Sequence, residues 1–109
     1  FECRLADGAA NPYLLQAGYL AAGLDGIANK RNPGARVDLD MYTEGHKVRG
    51  ARKLPLYLLD AIRGFDRDKD LKAALGETFS TSYIKLKLLE WDAYSRHLSD
   101  WERRSSLDI

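Results

Sequence analysis

The chain has 109 residues, 45% of them hydrophobic and 30% charged, which suits one small globular domain of ordinary composition. A formal net charge of +1 supplies no overall attraction to nucleic acid or to an anionic membrane, so neither is expected as a partner. The single cysteine, Cys3, excludes an internal disulfide and cannot form a zinc site by itself, in keeping with a reducing, cytoplasmic setting.

The first residue is Phe1, not Met, and no signal peptide is apparent; such a start is expected of a cut through a longer chain. Over residues 1–7, Phe1, Cys3 and Leu5 alternate with Glu2 and Arg4, a strand pattern. No second convincing strand follows. A lone strand leaves its backbone groups unpaired, so the partner strands are expected upstream of Phe1. The fold class expected is therefore mainly α, with one orphan N-terminal strand.

Asp7-Gly8-Ala9-Ala10 reads as a turn. Asn11-Pro12 then opens a helix over residues 12–28, with Asn11 as N-cap and Pro12 in the first turn. Its run from Pro12 to Leu24 is interrupted only by Gln16. That is short of the roughly 20 residues of a membrane span. A helix apolar nearly all round is expected to be buried on most sides.

Residues 29–54 form a long polar loop with a turn at Asn32-Pro33-Gly34, and loops of this length are usually functional or mobile. Lys47, Arg49, Arg52 and Lys53 make it basic, but no aromatic residue interleaves them as a nucleic-acid surface would require. Leu54-Pro55 opens a helix over residues 55–65, with Leu58, Leu59, Ile62 and Phe65 as its buried stripe. Asp68 caps a short helix over residues 68–75, and Gly76 ends it. Ser80 caps the longest helix, over residues 80–98, with Ile84, Leu88, Trp91, Tyr94 and Leu98 as its apolar stripe. Ser99-Asp100-Trp101-Glu102 matches a capping box and starts a last helix over residues 100–106. Trp91 and Trp101 are expected to fill packing gaps.

Glu2 and Arg4 are the sharpest chemical pair. On a strand they share a face, with α-carbons about 6.5 to 7 Å apart. A carboxylate suits a hard cation such as magnesium, and a guanidinium suits a planar carboxylate. By themselves, these two residues are better read as a plain surface ion pair. Cys3 falls on the opposite face, where burial is the expectation rather than reactivity. His46 and His97 lack ligand-like spacing with carboxylates and read as surface residues.

The surroundings of this pair carry more. Glu2-Cys3-Arg4-Leu5-Ala6-Asp7, then Asn11-Pro12-Tyr13-Leu14, then Ala22-Gly23-Leu24-Asp25-Gly26-Ile27 with Asn29-Lys30 resemble the C-terminal signature of the glutamine synthetase family. Leu54-Pro55, Asp60-Ala61, Leu75-Gly76, Trp91 and Trp101-Glu102 continue the resemblance more loosely to the end of the chain. The ending from Trp101 to Ile109 looks like a less common bacterial branch.

The resemblance implies that residues 1–109 are the C-terminal part of an α+β catalytic domain, most of whose sheet lies upstream. It implies an ATP-dependent glutamate–ammonia ligase that works through a γ-glutamyl phosphate intermediate. A related branch would use methylamine or another amine. Carried over by position, Glu2 would ligate the active-site divalent cation, magnesium or manganese. Arg4 would hold the L-glutamate substrate and the charge of the phosphoryl-transfer step. ATP would be the cosubstrate. The other metal ligands and the nucleotide-binding residues would lie upstream, so this chain alone is expected to be inactive and to hold no cofactor.

Tyr42 falls where some bacterial members carry an adenylylated tyrosine. Here the family's following Asp-Leu-Pro is replaced by Thr43-Glu44-Gly45, and the alternative is an ordinary loop tyrosine. The resemblance implies assembly as homo-oligomeric rings, which the end of the chain would help to join; the equal alternative is a tail packed on its own domain. The rival reading of the whole chain is a free-standing helical interaction module.

Overall fold

The computed structural model of the chain describes residues 2–50 and 53–106. Phe1, Arg52 and residues 107–109 of the ending, which entered the sequence reading, lie outside the described residues. The chain divides into two compact units, Phe1–Pro55 and Leu56–Ile109.

The first unit is built on helix α1, Pro12–Ala28. Its start follows from Asn11, whose side-chain oxygen accepts from the backbone N–H groups of Tyr13 and Leu14 at 3.0 and 3.2 Å. These are two of the amides that a helix start leaves without an intrahelical partner. At the other end, Lys30 N–H donates to the Ile27 carbonyl and Arg31 N–H to the Gly26 carbonyl. Lys30 sits between them at φ +49°. This is a Schellman closure with a lysine where glycine is usual.

Before α1, the Asp7 carboxylate accepts from Ala9 N–H at 2.8 Å and the Asp7 carbonyl from Ala10 N–H at 3.0 Å, closing the expected turn. After α1, Asn32 accepts from Gly34 N–H at 2.9 Å. The loop then runs to a single 3-10 turn at Gly45–Lys47.

Of two further expectations for this unit, the orphan strand over residues 1–7 is not shown and the burial of α1 needs correction. Residues 2–7 belong to no strand, and the described residues contain none. A ladder requires a partner strand, and none is present to define one. Helix α1 is not buried: none of its residues is, and Tyr13, Leu20, Leu24 and Ile27 are exposed. Its apolar faces meet too little of this chain to be covered. No helix among the described residues is long and apolar enough to cross a membrane.

The second unit packs three helices pairwise: α2 at Leu58–Arg67, α3 at Lys69–Leu75 and α4 at Glu77–Ser95. Helix α2 begins three residues later than expected. Leu54 offers no capping side chain, and a residue before proline disfavours the helical region. The Tyr57 carbonyl instead accepts the first bond, from Ala61 N–H, and Asp60 places its charge in the first turn, where the helix dipole favours it. Asp68 ends α2 and caps α3 by accepting from Leu71 N–H at 3.0 Å.

Helix α4 starts at Glu77, not Ser80, and ends at Ser95. Gly76 closes α3 and opens α4 in one residue, at φ +93° and ψ +131°, a conformation close to exclusive to glycine. Ser80 is therefore inside α4 and wholly buried, and its hydroxyl donates back to the Lys72 carbonyl of α3 at 3.2 Å. Ile62 is the one buried hydrophobic residue among those described, at 6% exposure. Leu59, Phe65, Leu71, Leu75, Tyr83, Ile84 and Trp91 of the same three helices are half-buried. Tyr83 meets Phe65 edge-on at 6.4 Å and stacks on Phe79 at 5.6 Å.

The inward row of α4 is thus Ser80, Tyr83, Ile84, Lys87 and Trp91. The outer members of the expected stripe, Leu88, Tyr94 and Leu98, are exposed. Leu58 is also exposed. Three short helices cannot cover every apolar side chain they carry.

The last helix, α5 at Asp100–Ser106, has the expected capping box in both directions. Glu102 N–H donates to the Ser99 hydroxyl at 3.2 Å, and Ser99 N–H to the Glu102 carboxylate at 2.8 Å. Trp101 fills no gap: it is 75% exposed, and α5 packs on none of α2 to α4 among the described residues.

Two glycine substitutions separate backbone conformation from packing. A Cβ at Gly76 or Gly64 would meet no atom within 4 Å. Gly76→Ala is expected to destabilise the second unit by about 1–3 kcal/mol through backbone strain alone. Gly64→Ala, inside α2, is expected to stabilise it by about 0.5–1 kcal/mol. Urea unfolding of both variants, followed by circular dichroism, reads the opposite signs.

Candidate functional site

The candidate site sits at the start of the chain. Arg4 Nε donates to Glu2 Oε1 at 2.6 Å, and Nη2 to Oε2 at 3.3 Å. The guanidinium therefore covers both oxygens of the carboxylate. Residues two apart meet in this way when the residue between them turns to the other side. Cys3 does so: it is half-buried, and its thiol donates to the Tyr19 hydroxyl of α1 at 2.9 Å. The expected division of faces, with Glu2 and Arg4 together and Cys3 opposite, is present without a strand ladder.

Both members of the pair are largely exposed, the Arg4 side chain at 85% and the Glu2 side chain at 70%. An exposed ion pair of this kind is worth about 0–1 kcal/mol, so it opens readily. Cation binding by Glu2, or carboxylate binding by Arg4, would each require it to open. The donor type of Glu2 fits a hard divalent cation, but one carboxylate is only part of a site. No group of three or more His, Cys, Asp or Glu side chains able to hold a metal occurs among the described residues.

The Cys3–Tyr19 contact was not legible as a pair. Its signal was the hydroxyl of Tyr19 in a stretch of α1 otherwise made of Ala, Gly and Leu from Ala17 to Leu24, since a covered tyrosine hydroxyl usually finds a partner. When the thiol ionises, the hydroxyl can donate to it. That hydrogen bond, with one from the Leu5 backbone, lowers the Cys3 pKa, and the same contact raises that of Tyr19.

A second cluster closes the far end of α1. Asp25 accepts from Arg31 Nε at 2.6 Å and from Asn29 Nδ2 at 2.7 Å. A negative charge in the last helical turn opposes the dipole, and these two donors offset it. The hydrogen bond from Arg31, then its charge and the Asn29 amide, hold the Asp25 carboxyl below its ordinary value.

Tyr42 is fully exposed, at 102%. Its backbone N–H donates to the Asp40 carboxylate at 2.9 Å, and no described contact joins it to Glu2 or Arg4. His46 and His97 are exposed, as expected. Lys47, Arg49 and Lys53 are exposed too, and Lys47 pairs with Glu44.

The Asp25 cluster has a pH signature. Its carboxyl is depressed in the folded chain from about 3.9 in an unfolded one. Its contribution is therefore complete at neutral pH and is lost as the pH falls from about 4 through the folded value. A carbon-detected NMR titration is expected to place the Asp25 midpoint below that of the unfolded chain. Arg31→Ala is expected to move it back up.

Comparison with known proteins places this geometry. Residues 1–106 match the family model described as glutamine synthetase, catalytic domain. A glutamine synthetase of Rhizobium leguminosarum bv. phaseoli is 61% identical over the whole chain, which covers 25% of that protein. A glutamate–methylamine ligase of Methyloversatilis universalis is 36% identical over 99% of the chain and 25% of its own length. A solved structure described as apo GmaS without ligand superposes on 97% of this chain and 25% of its own, with a TM-score of 0.89 and 52% sequence identity. The chain thus spans about a quarter of the length of the relatives it matches.

Proposed function

The chain belongs to the glutamine synthetase catalytic-domain family, as a C-terminal segment of that domain, and from this premise we propose that it is part of an ATP-dependent glutamate–ammonia ligase. The observation that carries the reading is the Glu2–Arg4 pair, one acid and one guanidinium on the same side of the segment. Its place in the Glu-x-Arg part of the signature that the opening residues resemble supports the reading, and residues 1–106 match the family model.

In this reading, ATP phosphorylates the γ-carboxylate of L-glutamate, and ammonia then displaces the phosphate. Glu2 would hold a divalent cation through its oxygens. Magnesium or manganese bound there would supply charge neutralisation for the transferring phosphoryl group. Arg4 presents its planar fork to the glutamate substrate and stabilises negative charge beside the reacting centre. The remaining cation ligands and the nucleotide site belong to the rest of the enzyme. At this site the 109-residue chain by itself offers one carboxylate, Glu2, and one guanidinium, Arg4, too little for turnover.

Methylamine is the second candidate for the amine. It is supported by the close superposition on the GmaS structure and by the methylamine ligase among the relatives. The higher identity to the Rhizobium leguminosarum enzyme supports ammonia. A free-standing helical module finds no support in these comparisons. Homo-oligomeric ring assembly is part of the reading, and the exposed Trp101 of α5 gives it an apolar contact. Full exposure suits Tyr42 for adenylylation, although Thr43-Glu44-Gly45 depart from the family pattern.

Phosphate release by the full-length ligase tests the assignment. Glu2→Gln is expected to raise the Mg2+ requirement at least about tenfold, as loss of one charged ligand implies. Arg4→Lys is expected to raise the KM for glutamate by a similar factor. The isolated 109-residue chain with Mg2+, ATP, glutamate and ammonia is expected to release no phosphate above buffer. Unchanged kinetics in both variants would remove the site assignment. Faster release with methylamine than with ammonia would exchange the two amines.

A further inference from the structure

Cys3 stands between the two residues to which the proposed function gives cation and glutamate binding. Its hydrogen bond to Tyr19 spans sixteen residues of sequence and ties the opening segment to the middle of α1. The distances make this a natural match. Cys3 precedes the Asp7 turn by four residues, about 13 Å of extended chain. Tyr19 lies seven residues past Pro12, about 10 Å along a helix. The turn at Asp7–Ala10 brings the chain back, and the Asn11 cap fixes where α1 begins. The segment can therefore run back along α1 and place the thiol against the phenol.

We propose that the Cys3–Tyr19 hydrogen bond is a positioning contact that holds Glu2 and Arg4 together on the open side of the segment, in the register that cation and glutamate binding require. The inference rests on the assignment of those roles to Glu2 and Arg4. With side chains alternating along the segment, anchoring the middle residue to α1 leaves its two neighbours facing away. Both are indeed exposed while Cys3 is half-buried. A slip of one residue would exchange the faces, turning Glu2 or Arg4 toward α1. The thiol is thus an anchor engaged with a partner. Tyr19 acts through Cys3 and does not itself touch substrate.

The test uses the full-length ligase and steady-state phosphate release. Cys3→Ala and Tyr19→Phe are each expected to raise the KM for glutamate and the half-saturating Mg2+ concentration about three- to tenfold, the range that loss of one hydrogen bond gives. The change in kcat is expected to be smaller. Cys3→Ser keeps a donor for the Tyr19 hydroxyl and is expected to restore both values toward those of the parent. The double variant is expected to match the single ones, because all of them lose the same bond.

Tyr19→Phe keeps the ring and so reports on the hydrogen bond even if Cys3→Ala folds poorly. Normal KM and Mg2+ values in Tyr19→Phe and Cys3→Ala would overturn the positioning contact, as would a lowered melting temperature with those values unchanged. Additive effects in the double variant would overturn it too. If Glu2→Gln and Arg4→Lys are impaired in the same assays, the failure belongs to this inference alone. If they are silent, the proposed function fails with it.

Discussion

An amide at the start of a helix has no carbonyl behind it to bond, and in this chain side chains close by in sequence repeatedly fill that gap. Asn11, Asp68 and Ser99 each turn an oxygen onto the first free amides of α1, α3 and α5. Glu102 returns the favour to Ser99, and the bonds donated to it by the Ser99 hydroxyl and then the Ser99 backbone N–H hold its carboxyl below its ordinary value. Such caps are worth roughly 1 kcal/mol apiece. They matter more than usual here, because burial contributes less: Ile62 is the only buried hydrophobic side chain among the described residues. Local side-chain hydrogen bonding marks where α1, α3 and α5 begin, and the candidate site inherits that precision through the Asn11 cap.

The same balance explains the form of the site. Glu2 and Arg4 are held by the alternation of the backbone and by Cys3, whose anchor is in α1. They are not held by a surrounding pocket. Left to themselves the acid and the guanidinium neutralise each other, which is the cheapest arrangement for two exposed opposite charges. A site that binds a cation on one and an anion on the other needs further walls to separate them. This is why membership of a ligase family and the inactivity proposed for the isolated chain are compatible.

Much of the architecture could be read from residues a few positions apart. The bounds of α1 and α5 came out as expected, as did the caps at Asn11, Asp68 and Ser99, since propensity and capping are local. The separation of Glu2 and Arg4 from Cys3 was equally legible, because a two-residue period needs no knowledge of the partner. The start of α4 was not. Ser80 has the chemistry of a cap, yet Gly76 reaches a backbone conformation that lets α4 begin earlier and carries Ser80 inside. The expected stripe of α4 also ran too far, since the turns beyond Trp91 extend past what α2 and α3 can cover.

The sequence by itself determined the mainly helical character, the caps at Asn11, Asp68 and Ser99, the pairing of Glu2 with Arg4 and the family to which the chain belongs. These rest on interactions between near neighbours or on a long ordered string of residue types. Tertiary structure alone decided which apolar residues are covered, that Tyr19 receives the Cys3 thiol, and that Ser80 bonds back to the Lys72 carbonyl. Those outcomes depend on which surfaces meet in space. Burial is a property of a pair of faces, and one face read alone, however apolar, does not say whether another arrives to cover it.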